Sequence, residues 1–407
     1  MHTLTDAGEA RLETFLEDLG DLLGDKRRKA SFATYALGLL GEGERKSVEP
    51  IAARAVGGAT DVEAAHQRLL HFLARSEWDD RAVRRFATRY ALKFMTAEQP
   101  VEACIIDDTG FLKQGTHSVG VQRQYTGSAG KIANCQVGVS LSVATRSDHL
   151  PIDFELYLPT SWTDDPARRR EARIPDEVVF KTKPELALEM LTRAHQDGLP
   201  LGVVLADAGY GSSSEFRLGI HRLGLPYSVG VVSTSKVFEV HEVVNRGGKA
   251  IDLRRLATKL DAKGKFQRFT WRTGSRGELS ARFAMRRVTP CGEQGQELDE
   301  RSTVWLLIEW RDGEADPANY YFSSLPEDTS LDSLVAITTQ RWRTERAYQD
   351  LKGELGLDHY EGRKFRGWHH HISVVLCCYA FAVAERHRIF PLSSRRPHRD
   401  GPLRGTA

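Results

Sequence analysis

Long apolar runs are missing from this 407-residue chain. No stretch of about 18 uncharged apolar residues occurs, so no membrane-spanning helix is expected. Cysteine is scarce, at five (Cys104, Cys135, Cys291, Cys377, Cys378), and none are in CxxC spacing. They read as reduced thiols, not as a disulfide frame or a zinc site. The chain has no GKS or GKT ending to a glycine-rich loop, so no P-loop and no nucleotide dependence are expected. The opening "MHTLTDAGEARLETFLEDLG" is acidic and amphipathic and lacks the basic start and apolar stretch of a secretory signal, which points to the cytoplasm. Net charge is only +2, so bulk charge does not announce a polyanionic partner. Neither an internal repeat nor a low-complexity tract is present.

What is there is unevenly distributed. The first 25 residues are acid-rich, whereas "RRREAR" (Arg168 to Arg173), the stretch Arg341 to Arg366 and the tail "RRPHRDGPLRG" are basic. Such segregation gives a near-neutral protein a basic working face. The length suggests two or three folding units. Residues 1–98 read as helical: Leu12, Phe15, Leu19 and Leu22 recur at steps of three and four, and "DDRAVRRFATRYALKFM" starts at an Asp79 or Asp80 cap. Its Arg81, Arg84, Arg85 and Arg89 either face phosphates or form an ordinary solvated face.

At residue 101 the period shortens. "VEACIIDDTGFLKQG", "NCQVGVSLSVAT" and "HLPIDFELYLP" read as strands, a helix is expected from just after Lys183 to near Gly198, and "LGVVLADAGYG" reads as a buried central strand. Residues 228–328 are β-rich. Helices return over 329–390 in "SLVAITTQRWRTERAYQDLKGEL" and the apolar "VVLCCYAFAVAERHRI", and residues 391–407 are expected to be disordered. The class is therefore α/β with a β-rich insertion, preceded by a helical N-terminal domain.

Three acidic positions stand out. Asp107 and Asp108 close the first strand, Asp207 closes the central strand, and Glu345 sits in a long helix. Acids at strand ends converge at one edge of a sheet. Carboxylates are the ligands that Mg²⁺ or Mn²⁺ takes, and two such ions serve in-line phosphoryl transfer. The bland readings are that Asp207 only caps the turn after it and that Glu345 only pairs with Arg341. Of the adjacent pair, at most one enters a site, because successive strand residues face opposite ways. "KQGTHSVGVQRQYTGSAGK" reads as a flexible loop whose Lys113 and Arg123 contact phosphate. "GLDHYEGRKFRGWHHH" reads as a loop mixing bases with aromatics, as suits a distorted DNA end.

"QRWRTERAYQDLK" resembles the catalytic helix of bacterial insertion-sequence transposases of the DDE superfamily, in the branch with a Tyr/Arg/Glu/Lys signature. Arg341, Glu345 and Lys352 match its spacing. "IIDDTGFLKQGTHSVGVQRQYTGSAGKIANCQVGVSLS", "VLADAGYG" and "KGELGLDHYEGRKFRGWHHH" are similar to the group named for insertion sequence 701, so the resemblance spans about residues 100–385. The signature Tyr falls on Thr338, which has a hydroxyl but no ring. The resemblance implies an RNase H-like core over 99–227 and 329–390 interrupted by the β-rich 228–328, with 1–98 binding the DNA ends. It implies a triad of Asp108 (or Asp107), Asp207 and Glu345 holding two Mg²⁺ or Mn²⁺ ions. It implies DNA contacts from Arg341, Lys352, Thr338, Arg363, Lys364, Arg366, Trp368, His369, Lys113 and Arg123. The implied activity is cut-and-paste transposition by a homodimer on double-stranded DNA, at the element's inverted repeats and at a target. The rivals are a catalytically silent repressor and a nuclease that does not join.

Overall fold

The computed structural model describes residues 6–56, 59–239, 249–274, 277–291 and 303–391. The basic tail from 392 onward lies outside them. The chain divides into two compact units. One comprises Met1–Pro100, Asp107–Met190 and Arg343–Ser394; the other contains Val101–Ile106 and Leu191–Trp342. The helices over 6–95, expected to stand as a domain of their own, therefore share a core with later segments.

In the first unit, α1 (Asp6–Leu22), α2 (Lys26–Leu40), α3 (Val48–Ala55), α4 (Ala59–Ala74) and α5 (Asp80–Met95) precede the strands. Two of the starts are capped locally: Asp25 accepts from the Arg27 and Arg28 amides, and Asp79 accepts from Ala82 N. The apolar stripe of α1 buries Leu12, Phe15, Leu16 and Leu19. Helices α1, α2, α4 and α5 pack on the 25-residue helix Phe365–Ile389, which is apolar nearly all round and is buried accordingly. Phe15 meets Phe381 at 5.4 Å and Tyr90 at 4.6 Å between ring centroids. Arg84, read from the sequence as a possible phosphate contact, is only 3% exposed. It bonds Asp153 at 3.1 Å and the Ser373 hydroxyl at 2.6 Å, so it neutralises buried acids instead.

The three histidines belong to this core. Helix Phe365–Ile389 begins earlier than expected, so Trp368 and His369 to His371 lie on it and not in a loop. His371 is fully buried; its Nε2 faces the Gly356 and Leu357 carbonyls at 3.1 and 3.2 Å, and Nδ1 faces the Tyr35 hydroxyl at 2.9 Å. Two carbonyls at Nε2 require the proton there, leaving Nδ1 to accept from Tyr35. His370 stacks on Trp78 at 3.8 Å and donates from Nδ1 to Leu73 O. Burial pushes His149, His370 and His371 each down to about 4. A histidine that folds neutral takes up a proton on unfolding below about pH 6.5, so stability is lost as pH falls from there toward 4. We expect the urea midpoint to drop between pH 6.5 and 5, as stability falls by up to about 2 kcal/mol per histidine. A midpoint that stays flat over this range would contradict the buried neutral state.

Strand β1 (Val101–Leu112) starts in the second unit and continues from Asp107 in the first. The first unit adds β2 (Gln122–Thr126), β3 (Lys131–Thr145) and β4 (His149–Tyr157). Both β2 and β4 pair antiparallel with β3, and β1 is its other neighbour. The stretch read as a flexible loop is thus partly a hairpin, with β3 starting at Lys131. The short helices α6 (Thr160–Thr163) and α7 (Pro166–Ala172) lead to α8 (Lys183–Gln196), which lies where the sequence places it.

In the second unit, β1 pairs in parallel with β5 (Val203–Ala206), registered Ile105↔Leu205, and β5 pairs in parallel with β6 (Tyr227–Val231). The β-rich segment extends that sheet. β12 (Asn319–Ser323) pairs with β6, followed by β11 (Val304–Trp310), β10 (Gly277–Pro290), β7 (Lys236–Glu239) and β8 (Ile251–Asp252), with β9 (Gln267–Gly274) on β10. The turn helices α9 (Ala208–Gly211) and α10 (Ser214–Arg222) follow β5, and α11 (Leu253–Asp261) follows β8. The expected long helix over 333–355 is broken. It forms α12 (Leu331–Thr338), a 3₁₀ turn at Thr339–Arg341 and α13 (Trp342–Leu355). The helix Phe365–Ile389 is α14.

Cys104, Cys135, Cys377 and Cys378 are buried free thiols, and burial pushes Cys104 and Cys378 up to about 12. No described helix is long and apolar enough to cross a membrane.

Candidate active site

In the first unit, α13 is tied to the second half of β1 at two levels. Tyr348 and Ser140 share a hydrogen bond of 2.6 Å, and Ser140 Oγ lies 3.4 Å from Asp107 O. One turn on, Lys352 Nζ donates to Gly110 O at 2.9 Å and to Ser128 Oγ at 3.1 Å, and it lies 5.6 Å from the Phe111 ring centroid. Burial lowers the Lys352 ammonium below its ordinary value. Glu345 is exposed in the first turn of α13, one turn before Tyr348 and two before Lys352.

The paired aspartates part company on β1. Strand alternation groups Asp107 with Thr109 and Phe111. Phe111 packs edge-on against Trp368 at 5.8 Å and under Lys352, and Thr109 bonds Ser128 at 3.1 Å. That is the α13 flank. Asp108 faces the other way, and its Oδ2 is 2.8 Å from Lys183 Nζ in α8. The sequence preferred Asp108 on the identity of the residue after it. The alternation of β1 favours Asp107, the alternative, as the carboxylate on the Glu345 flank.

In the second unit, Asp207 ends β5 half-buried and caps α9, with Oδ1 accepting from Gly209 N at 2.8 Å. Its turn needs glycine. A Cβ on Gly211 would meet Gly230 O at 2.2 Å, and one on Gly230 would meet Ala208 N at 2.7 Å. Arg341 stands in the 3₁₀ turn, so its face is not set by the α-helical spacing used in the sequence reading. Gln340 bonds Glu102 at 2.8 Å in the same unit. Thr338 is 4% exposed and bonds the Ser228 hydroxyl at 2.7 Å, so its hydroxyl is committed internally.

The expected DNA contacts divide. Arg123 and Arg363 are exposed. Lys113 donates to Tyr360 O at 2.6 Å and Lys364 to Glu171 O, while Arg366 pairs with Glu77 at 3.1 Å. Trp368 and His369 are corrections: at 1% and 7% exposure they pack inside the first unit and offer DNA no surface. Two residues went unread. Lys183 had a visible signal, a base at a helix start, but its partner Asp108 lies 75 residues away in sequence. Ser128 was hidden among glycines that suggested only flexibility.

Among the described residues no three His, Cys, Asp or Glu side chains are grouped as a ready metal site. The chemistry of the donors nevertheless suits a hard divalent cation. All are carboxylates, and Glu345 is exposed.

Two family models match the sequence. One, described as DDE superfamily endonuclease, covers residues 18–278; the other, described as transposase DDE domain, covers residues 181–381. A curated relative, a probable transposase for insertion sequence element IS701 from Microchaete diplosiphon, is 29% identical over 217 residues. The match takes in 53% of this chain and 52% of that protein, so the chain spans about half the length of the curated relative. Among solved structures, a piggyBac transposase synaptic complex with hairpin DNA is similar over 92% of this chain and 69% of that one, at 11% identity and a TM-score of 0.47.

Proposed function

From the premise that the chain belongs to the DDE superfamily of endonucleases, we propose that it is an insertion-sequence transposase that cuts and rejoins DNA. The observation that carries the proposal is the stitching of the acid-bearing strand β1 to the Glu345 helix α13 through Ser140, Tyr348, Lys352 and Ser128. An RNase H-like core is the reading that best suits the parallel β1–β5–β6 ladder beside the antiparallel β3 and β4.

In this reading Asp107, Asp207 and Glu345 hold Mg²⁺ or Mn²⁺. A divalent cation bound to such carboxylates supplies Lewis acidity and charge neutralisation to phosphoryl transfer. The chain's own residues do the rest. Glu345 presents its carboxylate at the first turn of α13, where the helix dipole favours a negative charge. Lys352, held at Gly110 O, keeps α13 in register with β1. The exposed Arg123 and Arg363 attract phosphates, with a salt-sensitive contribution to affinity. Asp207 enters on the sequence pattern and its strand-end position. Double-stranded DNA is the substrate, as element ends and target, and joining two ends calls for a homodimer.

The test incubates the purified protein with labelled DNA carrying the sequences that border its gene, in Mg²⁺ or in EDTA, beside Asp207→Asn. Metal-dependent nicking by the wild type, lowered about a hundredfold or more in the variant, is expected. Tight binding without cutting under any metal would replace the enzyme by a DNA-binding repressor.

A further inference from the structure

Hairpin β2–β3 carries a feature the proposed chemistry does not use. Tyr125 and Ile132 are directly opposed across it, and they are 68% and 59% exposed. Directly opposed residues of an antiparallel pair stand about 5 Å apart, so the two side chains form one apolar ridge. Arg123, two residues along β2, and Lys131, next to Ile132, are both exposed. From residue 113 to 147 the chain contains no Asp or Glu, while Lys113, Arg123, Lys131 and Arg146 are all basic. An apolar ridge with the exposed Arg123 and Lys131 on its own two strands fits a ligand that combines phosphates with flat apolar faces. It does not suit a water-facing edge or an acidic peptide, which would leave the ring unused.

The hairpin is also held firmly. Ser128, in its turn, accepts from Gly110 N at 3.2 Å and from Lys352 Nζ at 3.1 Å, and it shares a hydrogen bond of 3.1 Å with Thr109. Those partners lie on the acid-bearing strand and on the Glu345 helix, all within one unit. A Cβ on Gly110 would come within 2.0 Å of Thr126 Oγ1, so glycine there allows the hairpin this close. Gly127 and Gly130 have open space around them.

We propose that this hairpin is a DNA wedge. Tyr125 and Ile132 enter between base pairs at the DNA end and unstack them, while Arg123, on the same face, grips a flanking phosphate. Insertion of apolar side chains at a base step kinks and opens the duplex, at a cost offset by new contacts. The proposal rests on the transposase reading.

A short duplex taken from the sequences bordering the gene, with 2-aminopurine near the cleavage end, reads unstacking as a rise in fluorescence. Binding is read separately by anisotropy. The wild type is expected to raise the fluorescence. Tyr125→Ala with Ile132→Ala should lose most of that rise and bind about five- to tenfold more weakly, while Tyr125→Phe, which keeps the ring, should retain both. Unchanged melting by circular dichroism is expected, since both side chains are at the surface. Undiminished unstacking in the double variant would overturn the wedge. So would a wild type that binds and cuts without unstacking, which leaves the transposase reading standing. A wild type that does not bind DNA removes both. If the double variant loses a dimer by sedimentation but still unstacks DNA, the ridge is an interface between copies and the wedge is wrong.

Discussion

Glu345→Gln should abolish DNA cleavage, by about 10³-fold or more, while leaving the fold and DNA binding near wild type. The amide keeps the size and reach of the side chain but is a poor ligand for a hard cation. Glu345 is exposed and lies in the first turn of α13, so the fold loses only a favourable charge at a helix start, about 0.3–1 kcal/mol. The two effects therefore separate cleanly in a single variant. Running Asp107→Asn and Asp108→Asn alongside decides between the neighbours. The alternation of β1 makes Asp107→Asn the more damaging, and Asp108→Asn should chiefly release Lys183. Cleavage by Glu345→Gln within tenfold of wild type, at equal protein stability, would remove the carboxylate from the mechanism.

Trp368→Ala has the second large effect, and it acts on stability. The side chain is 1% exposed and packs against Phe111 at 5.8 Å and His369 at 4.9 Å between ring centroids. It also lies close to Gly138, where a Cβ would approach Trp368 Cζ2 to 3.2 Å. Removing the ring leaves a cavity between α14 and the sheet of the first unit, at a cost of about 3–5 kcal/mol. Urea unfolding should show this as a lowered midpoint. Below the transition, DNA affinity per folded molecule should be unchanged. Stability near wild type with weakened DNA binding would restore Trp368 to the surface role read from the sequence.

The contrast between these residues shows what the sequence made legible. The strand ending at Asp207, helix α8 and the β-rich stretch after residue 228 all appear in period and turn residues, because local propensity and fold agree there. Strand β1 instead runs on to Leu112, so Asp107 and Asp108, expected to close it, lie inside it. The run "GRKFRGWHHH" misled. Its basic and aromatic composition fits a DNA-facing loop, but the apolar pattern of α14 extends back through it, and Tyr35, Leu73 and Gly356 supply buried polar partners from distant parts of the chain. No local pattern announces such partners. Between Asp108 and its alternative Asp107 the sequence could choose only on the identity of the next residue, because which side of β1 meets α13 is set by distant contacts such as Lys352 to Gly110 O. The break at Thr339–Arg341 was invisible because no Gly or Pro marks it.

The placement of α14 has a consequence for how the protein is made. Helices α1, α2, α4 and α5 complete their apolar contacts on a helix that starts roughly 270 residues after Met95. At bacterial-type elongation of about 5–20 residues per second, they leave the ribosome some 15–50 s before their partner exists. During that interval Phe15 and Tyr90 lack Phe381, and Tyr35 lacks His371. The nascent chain therefore shows apolar helical faces until α14 itself has been made.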